Sequence, residues 1–135
     1  MELDLIMLVD DSDTDNFINK RILELASFGY RIEIKNSGKS ALEYLESMKD
    51  DQENIPDVLF LDINMPVVSG FVFLYEFEKL PKEVKQKCKI VVLTSSEDQR
   101  DIKKIMDNQL VKLYLTKPLN EDSLTRVKQQ LLESA

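Results

Sequence analysis

An α/β fold, a doubly wound five-stranded parallel sheet with helices on both faces, is predicted by two features of the sequence. Five short β-like runs alternate with longer segments of helical period, which is the pattern of repeated strand-helix units. Three of the runs, Leu5-Ile6-Met7-Leu8-Val9, Val58-Leu59-Phe60-Leu61 and Ile90-Val91-Val92-Leu93, are apolar at every position. That is expected of central strands whose two faces are both covered. At 135 residues the chain suits one domain, 1–135, around a single core.

The elements follow in order. After the first strand, Ile18, Ile22 and Leu25 recur at i, i+4 and i+7 and predict a helix with that stripe buried. Arg31-Ile32-Glu33-Ile34-Lys35 alternates with period two, so one face or its edge meets water and the strand belongs at the border of the sheet. Ala41, Leu45 and Met48 mark the second helix, and the charged stretch from Lys49 to Asn54 reads as a solvated loop or frayed helix end. Beyond the central strand at Val58, Phe71, Leu74 and Phe77 suggest a third helix, and Lys82 to Lys89 reads as a solvated loop or frayed helix end. Ile102, Ile105 and Met106 mark a further helix, with Ser96 and Gln99 spaced as a start signal. Leu113-Tyr114-Leu115-Thr116 supplies the last strand at the other border. Asn120 before Glu121-Asp122 starts the closing helix, whose buried stripe is Leu124, Val127 and Leu131.

Composition removes several classes of function. With 18 basic against 25 acidic residues the net charge is −7, so the surface repels nucleic acid phosphates and anionic membranes. The first apolar run is cut by Asp10 and Asp11, well short of a membrane span, and there is no secretory signal, which points to a cytoplasmic protein. The chain holds no histidine, so it cannot supply a Ser-His-Asp triad, a histidine zinc site or its own phosphohistidine. Its three glycines stand too far apart for a dinucleotide or P-loop cradle. The single cysteine, Cys88, beside an apolar strand, reads as a small buried residue. Carboxylate, hydroxyl and lysine chemistry remains.

Those residue types gather at one edge. Asp10 and Asp11 end the first strand, Asp62 the third, Thr94 the fourth and Lys117 the last. Ligands of open α/β sheets bind at the carboxyl ends of strands. Carboxylates on neighbouring strand ends lie about 5 Å apart and repel by about 3 kcal/mol per pair at an effective dielectric near 20. Lys117 offers one compensating charge, and several clustered oxygens suit a hard divalent cation such as Mg²⁺. The plainer alternative, aspartates that cap helices and turn corners, explains one such residue at a time.

Four segments, Leu8-Val9-Asp10-Asp11, Leu61-Asp62-Ile63-Asn64-Met65-Pro66 with Gly70, Val92-Leu93-Thr94-Ser95-Ser96 and Tyr114-Leu115-Thr116-Lys117-Pro118, stand in an order and spacing that resembles the receiver domain of bacterial two-component response regulators. The resemblance covers Leu5 to Leu132 and implies the flavodoxin-like receiver (βα)5 fold with strand order 2-1-3-4-5. It implies that Asp62 is the phosphoacceptor in a Mg²⁺-dependent phosphorelay. Asp11 and Asp62 would hold the Mg²⁺ directly, Asp10 through water and Asn64 through its backbone carbonyl. Thr94 and Lys117 would contact the phosphoryl oxygens, Thr94 and Tyr114 would form the switch, and the bond before Pro118 would be cis. The partners implied are a sensor histidine kinase or phosphotransfer protein, docking around Asp15, Asn16 and Phe17, and an unknown downstream protein or a second copy of the chain. The resemblance is to the stand-alone, single-domain type, with no output domain, a signalling domain and not an enzyme. Val67-Val68-Ser69 and Asp107-Asn108-Gln109 depart from the family pattern away from the acceptor. Two alternatives compete: a pseudoreceiver that binds partners without phosphorylation, which the intact set of Asp10, Asp11, Asp62, Thr94 and Lys117 disfavours, and a haloacid dehalogenase-type phosphatase. The latter needs an acid two residues after its nucleophile, and Asn64 cannot donate that proton.

Overall fold

A computed structural model of the chain describes residues 3–63, 69–95 and 99–132. The strands are β1 (Leu5–Val9), β2 (Arg31–Lys35), β3 (Val58–Asp62), β4 (Lys89–Thr94) and β5 (Val111–Thr116). They form one parallel sheet in the order β2-β1-β3-β4-β5, with the alternating strand at one border and the last strand at the other, as the sequence predicts. The helices are α1 (Asp13–Leu25), α2 (Gly38–Ser47), α3 (Gly70–Glu78), α4 (Lys82–Lys87), α5 (Gln99–Met106) and α6 (Glu121–Leu132).

Because side chains alternate along a strand, each central strand feeds two cores. Met7, Val9, Leu59, Leu61, Ile90 and Val92 pack with Ala41, Leu45, Phe73, Leu74, Phe77 and Ile105 under α2, α3 and α5. Ile6, Leu8, Val58, Phe60, Val91 and Leu93 pack on the opposite face with Leu23, Leu124, Val127 and Leu131 of α1 and α6. The continuous apolar reading of these strands follows from this double coverage.

Two expectations need correction. The inward stripe of α1 is Asn16, Asn19 and Leu23, while Ile18 and Leu25 are 41% and 71% exposed. The reason is polar: Asn16 Nδ2 donates to the Asp10 carbonyl at 2.8 Å, and Asn19 Oδ1 accepts from the Leu119 amide at 3.3 Å. Buried backbone groups at the strand ends need such partners more than they need another isoleucine. Second, Lys82 to Lys89 is not a loop but α4 running into β4, held by the fully buried Val84. Lys49 to Asn54 is exposed over 49–53, as expected of a solvated stretch, and contains a 3-10 turn, Gln52–Asn54, whose Asn54 carbonyl accepts from the Tyr44 hydroxyl at 2.8 Å. In α3, Phe73 joins Leu74 and Phe77 inside, and Phe71 is half-buried.

The helix starts behave as capping chemistry requires. Ser12, Ser37 and Ser69 accept amide hydrogen bonds from α1, α2 and α3. Asn120 and Ser123 bond each other's amides reciprocally at the start of α6. Ser96, expected to start α5, lies outside the described residues. The Asp107-Asn108-Gln109 turn is closed by Asn108 Oδ1, which accepts from the Leu110 amide at 2.9 Å.

Candidate functional site

The strand ends converge as the parallel order dictates. β1 lies between β2 and β3, so Asp10 and Asp11, just past Val9, emerge beside Asp62 at the end of β3. Their carboxylate oxygens lie within 4.8 Å of one another, Asp10 and Asp62 buried and Asp11 exposed. Asp10 is fixed by the Ser12 amide, which donates to its Oδ1 at 2.9 Å. Thr94 ends β4, fully buried, and its carbonyl accepts from the Lys117 amide at 3.0 Å.

Lys117 follows β5, across the sheet from the acids, and the bond joining it to Pro118 is cis. Its Nζ donates to Asp10 Oδ2 at 2.8 Å and Asp15 Oδ2 at 3.0 Å and forms an ion pair with Asp62 Oδ2 at 3.3 Å. Burial alone would lower the Lys117 ammonium. The hydrogen bonds to Asp10 and Asp15 and the field of Asp62 outweigh it and hold the group well above the ordinary lysine range. The lysine is therefore a fixed cation facing the acidic cluster.

Tyr114 is half-buried on β5. The register pairs it with Val92 and pairs Thr116 with Thr94, so Tyr114 stands one pleat repeat from Thr94 on the same sheet face, packed against the core under α5. Asn64 lies outside the described residues. Asn16, expected on the rim, is buried under the Asp10 carbonyl, whereas Phe17 is 73% exposed. Beside Lys117, a hollow of about 370 Å³ is lined by Asp15, Ile18, Asn19, Ser95 and Pro118.

The sequence reading missed Asp15 as a partner of Lys117 and Asn19 as a structural contact. The spacing of Asn16, Asn19 and Leu23 at i, i+3 and i+7 was the available signal: one helix face, polar toward the strand ends and apolar below. The set that does assemble, three carboxylates with only oxygen donors and a neighbouring ammonium, fits a hard divalent cation and an anionic group together. Among the described residues no helix is long and apolar enough to cross a membrane.

Comparison with known proteins agrees with this arrangement. The family model of the response regulator receiver domain matches residues 6–128. The probable methanogenesis regulatory protein FilR2 of Methanothrix harundinacea is 31% identical over 96% of this chain and 81% of its own length. Response regulator Rcp1 of Synechocystis is 30% identical over 93% of this chain and 84% of that protein. The crystal structure of a two component response regulator from Cytophaga hutchinsonii superposes with a TM-score of 0.90 at 28% identity, covering 98% of this chain and 99% of the other.

Proposed function

This chain belongs to the response regulator receiver domain family, a family of signalling domains, and from that premise we propose that Asp62 is its phosphoacceptor and that it takes a phosphoryl group from a phosphohistidine on a partner kinase or phosphotransfer protein. The observation that carries the reading is the position of the Asp62 carboxylate, buried, within 4.8 Å of the oxygens of Asp10 and Asp11 and 3.3 Å from Lys117 Nζ.

In the transfer, an Asp62 carboxylate oxygen bonds to phosphorus as the phosphorus–nitrogen bond of the donor breaks. The imidazole leaves with the electron pair and takes its proton from water, and an acyl phosphate remains. The sequence holds no histidine, so the phosphohistidine lies outside these 135 residues. Lys117 supplies a positive charge beside the oxygens on which negative charge accumulates, and the Thr94 hydroxyl is a donor for another phosphoryl oxygen. Asp10, Asp11 and Asp62, with the Asn64 backbone carbonyl, would hold Mg²⁺. When bound, that ion neutralises charge on the transferring group. Hydrolysis of the acyl phosphate releases inorganic phosphate and restores the carboxylate.

The signal leaves by a change in packing. Once a phosphoryl oxygen draws the Thr94 hydroxyl, Tyr114 on the same face has room to turn inward, and the surface of α5, β5 and α6 changes for a downstream protein or a second copy. The donor protein approaches over α1, where Phe17 is exposed. Intact-mass spectrometry after incubation with acetyl phosphate and Mg²⁺ tests the acceptor: one added phosphoryl group is expected on the wild type and none on Asp62→Asn. Equal labelling of the two removes Asp62 from the role.

A further inference from the structure

Lys117 has three N–H donors, and two are committed to carboxylates outside Asp62: Asp10 Oδ2 at 2.8 Å and Asp15 Oδ2 at 3.0 Å. Asp62 Oδ2 is the next oxygen, at 3.3 Å. The two holders differ. Asp10 ends β1, is buried, and belongs to the carboxylate cluster with Asp11 and Asp62. Asp15 comes from the first turn of α1, its side chain is 40% exposed, and it is not a member of that cluster.

We propose that Asp15 is a positioning residue of the acceptor site, the carboxylate dedicated to holding the Lys117 ammonium against Asp62. The inference rests on Asp62 being the phosphoacceptor. A divalent cation in the cluster would share the charge of Asp10, and phosphorylation would move the negative charge at Asp62 onto the phosphoryl oxygens. Of the three carboxylates around the lysine, Asp15 alone stands outside the cluster. With Asp15 holding one donor, the ammonium stays over the acceptor and another donor is available to a phosphoryl oxygen. The need for a holder follows from the lysine stem, four flexible carbons ending in a compact charge. A misplacement of about 1 Å can cost about a hundredfold in rate. Lys117 retains Asp10 when Asp15 is lost, so a smaller loss, about tenfold, is expected.

The test is a double-mutant cycle on the full chain: wild type, Asp15→Ala, Lys117→Met and the double variant, each labelled with acetyl phosphate at saturating Mg²⁺ and followed by intact mass. Asp15→Ala should slow labelling about tenfold in the wild-type background and less than twofold in the Lys117→Met background. Asp15→Asn, which keeps an acceptor oxygen without the charge, should fall between. The Mg²⁺ dissociation constant should change less than twofold, because Asp15 is outside the cluster. A readout free of metal and phosphodonor is urea unfolding in EDTA, where Asp15→Ala should lower the midpoint only when Lys117 is present. Labelling of Asp15→Ala at the wild-type rate, or an equal loss in both backgrounds, overturns the inference and leaves Asp62 as acceptor. Equal labelling of wild type and Asp62→Asn overturns both readings.

Discussion

Replacing Asp11 by asparagine should stabilise the metal-free protein while weakening its hold on Mg²⁺. The carboxylate oxygens of Asp10, Asp11 and Asp62 lie within 4.8 Å of one another. At that separation two unit charges repel by about 3.5 kcal/mol at an effective dielectric of 20 and about 0.9 kcal/mol in bulk water. Asp10 and Asp62 are buried and share Lys117, whereas Asp11 is exposed, so its two repulsions lie near the water limit. Asp11→Asn then relieves about 1–2 kcal/mol, a rise in Tm of about 3–8 °C for a chain of this size. Added Mg²⁺ stabilises in proportion to the logarithm of its concentration over Kd. A variant lacking one ligand gains less, so the two melting curves should converge or cross as Mg²⁺ is raised. Thermal unfolding by circular dichroism in EDTA and through a Mg²⁺ titration measures both. A lower Tm for Asp11→Asn in EDTA, or equal Mg²⁺ gains for both proteins, would refute the electrostatic reasoning.

Other consequences are as direct. A Cβ at Gly70 would stand 2.5 Å from Ile63 Cδ1 and 2.7 Å from Ile63 Cα, beside the residue that follows Asp62. Gly70→Ala should therefore cost about 1–3 kcal/mol, read as a lower urea midpoint; an unchanged midpoint would mean that the backbone yields there. Burial, and then the field of Asp57, push the Cys88 thiol far above its ordinary range. The folded thiol stays protonated while the unfolded one ionises above about pH 8.5, so the stability is intact below that pH and lost above it at up to about 1.4 kcal/mol per unit. Cys88→Val should flatten the fall in urea midpoint between pH 8 and 10, and an identical slope would contradict the assignment. Beryllofluoride with Mg²⁺ should change hydrogen exchange across 108–120 as well as near the acceptor; a response confined to the acceptor would remove Tyr114 from the switch.

The strands and most of the candidate site were legible because both depend on short-range order. A strand buried on both faces is apolar at every position, and its carboxyl end is the residue where the run stops, so Asp10, Asp62 and Thr94 could be placed without a structure, while Lys117 follows the border strand β5, whose burial alternates. What stayed hidden depended on which face of α1 turns inward. Ile18, Ile22 and Leu25 satisfy a helical period as well as Asn16, Asn19 and Leu23 do, and hydrophobic periodicity counts only apolar atoms. It does not register that the Asp10 carbonyl and the Leu119 amide need partners in a buried place. Asp15 was masked in the same way, because two acids in the first turn of a helix are explained by the helix dipole alone.

The same choice of face links the buried site to the surface beside it. With asparagines inward to satisfy the strand ends, α1 carries some of its apolar residues outward: Phe17, Ile18 and Leu25 are 73%, 41% and 71% exposed. Ile18 also lines the hollow that borders Lys117 and Asp15. Leaving these side chains in water forgoes at most about 1.5–3 kcal/mol each relative to full burial, and less for the partly covered Ile18. A helix that only covered the sheet would gain by turning that stripe inward. The inward asparagines instead keep backbone groups at the carboxyl end of the sheet paired, and Asp15, on the neighbouring turn face, reaches Lys117. The forgone burial on α1 is thus tied to the geometry that holds the charged cluster. It also leaves the apolar Ile18 beside Lys117 and Asp15 at the edge of the carboxylate cluster.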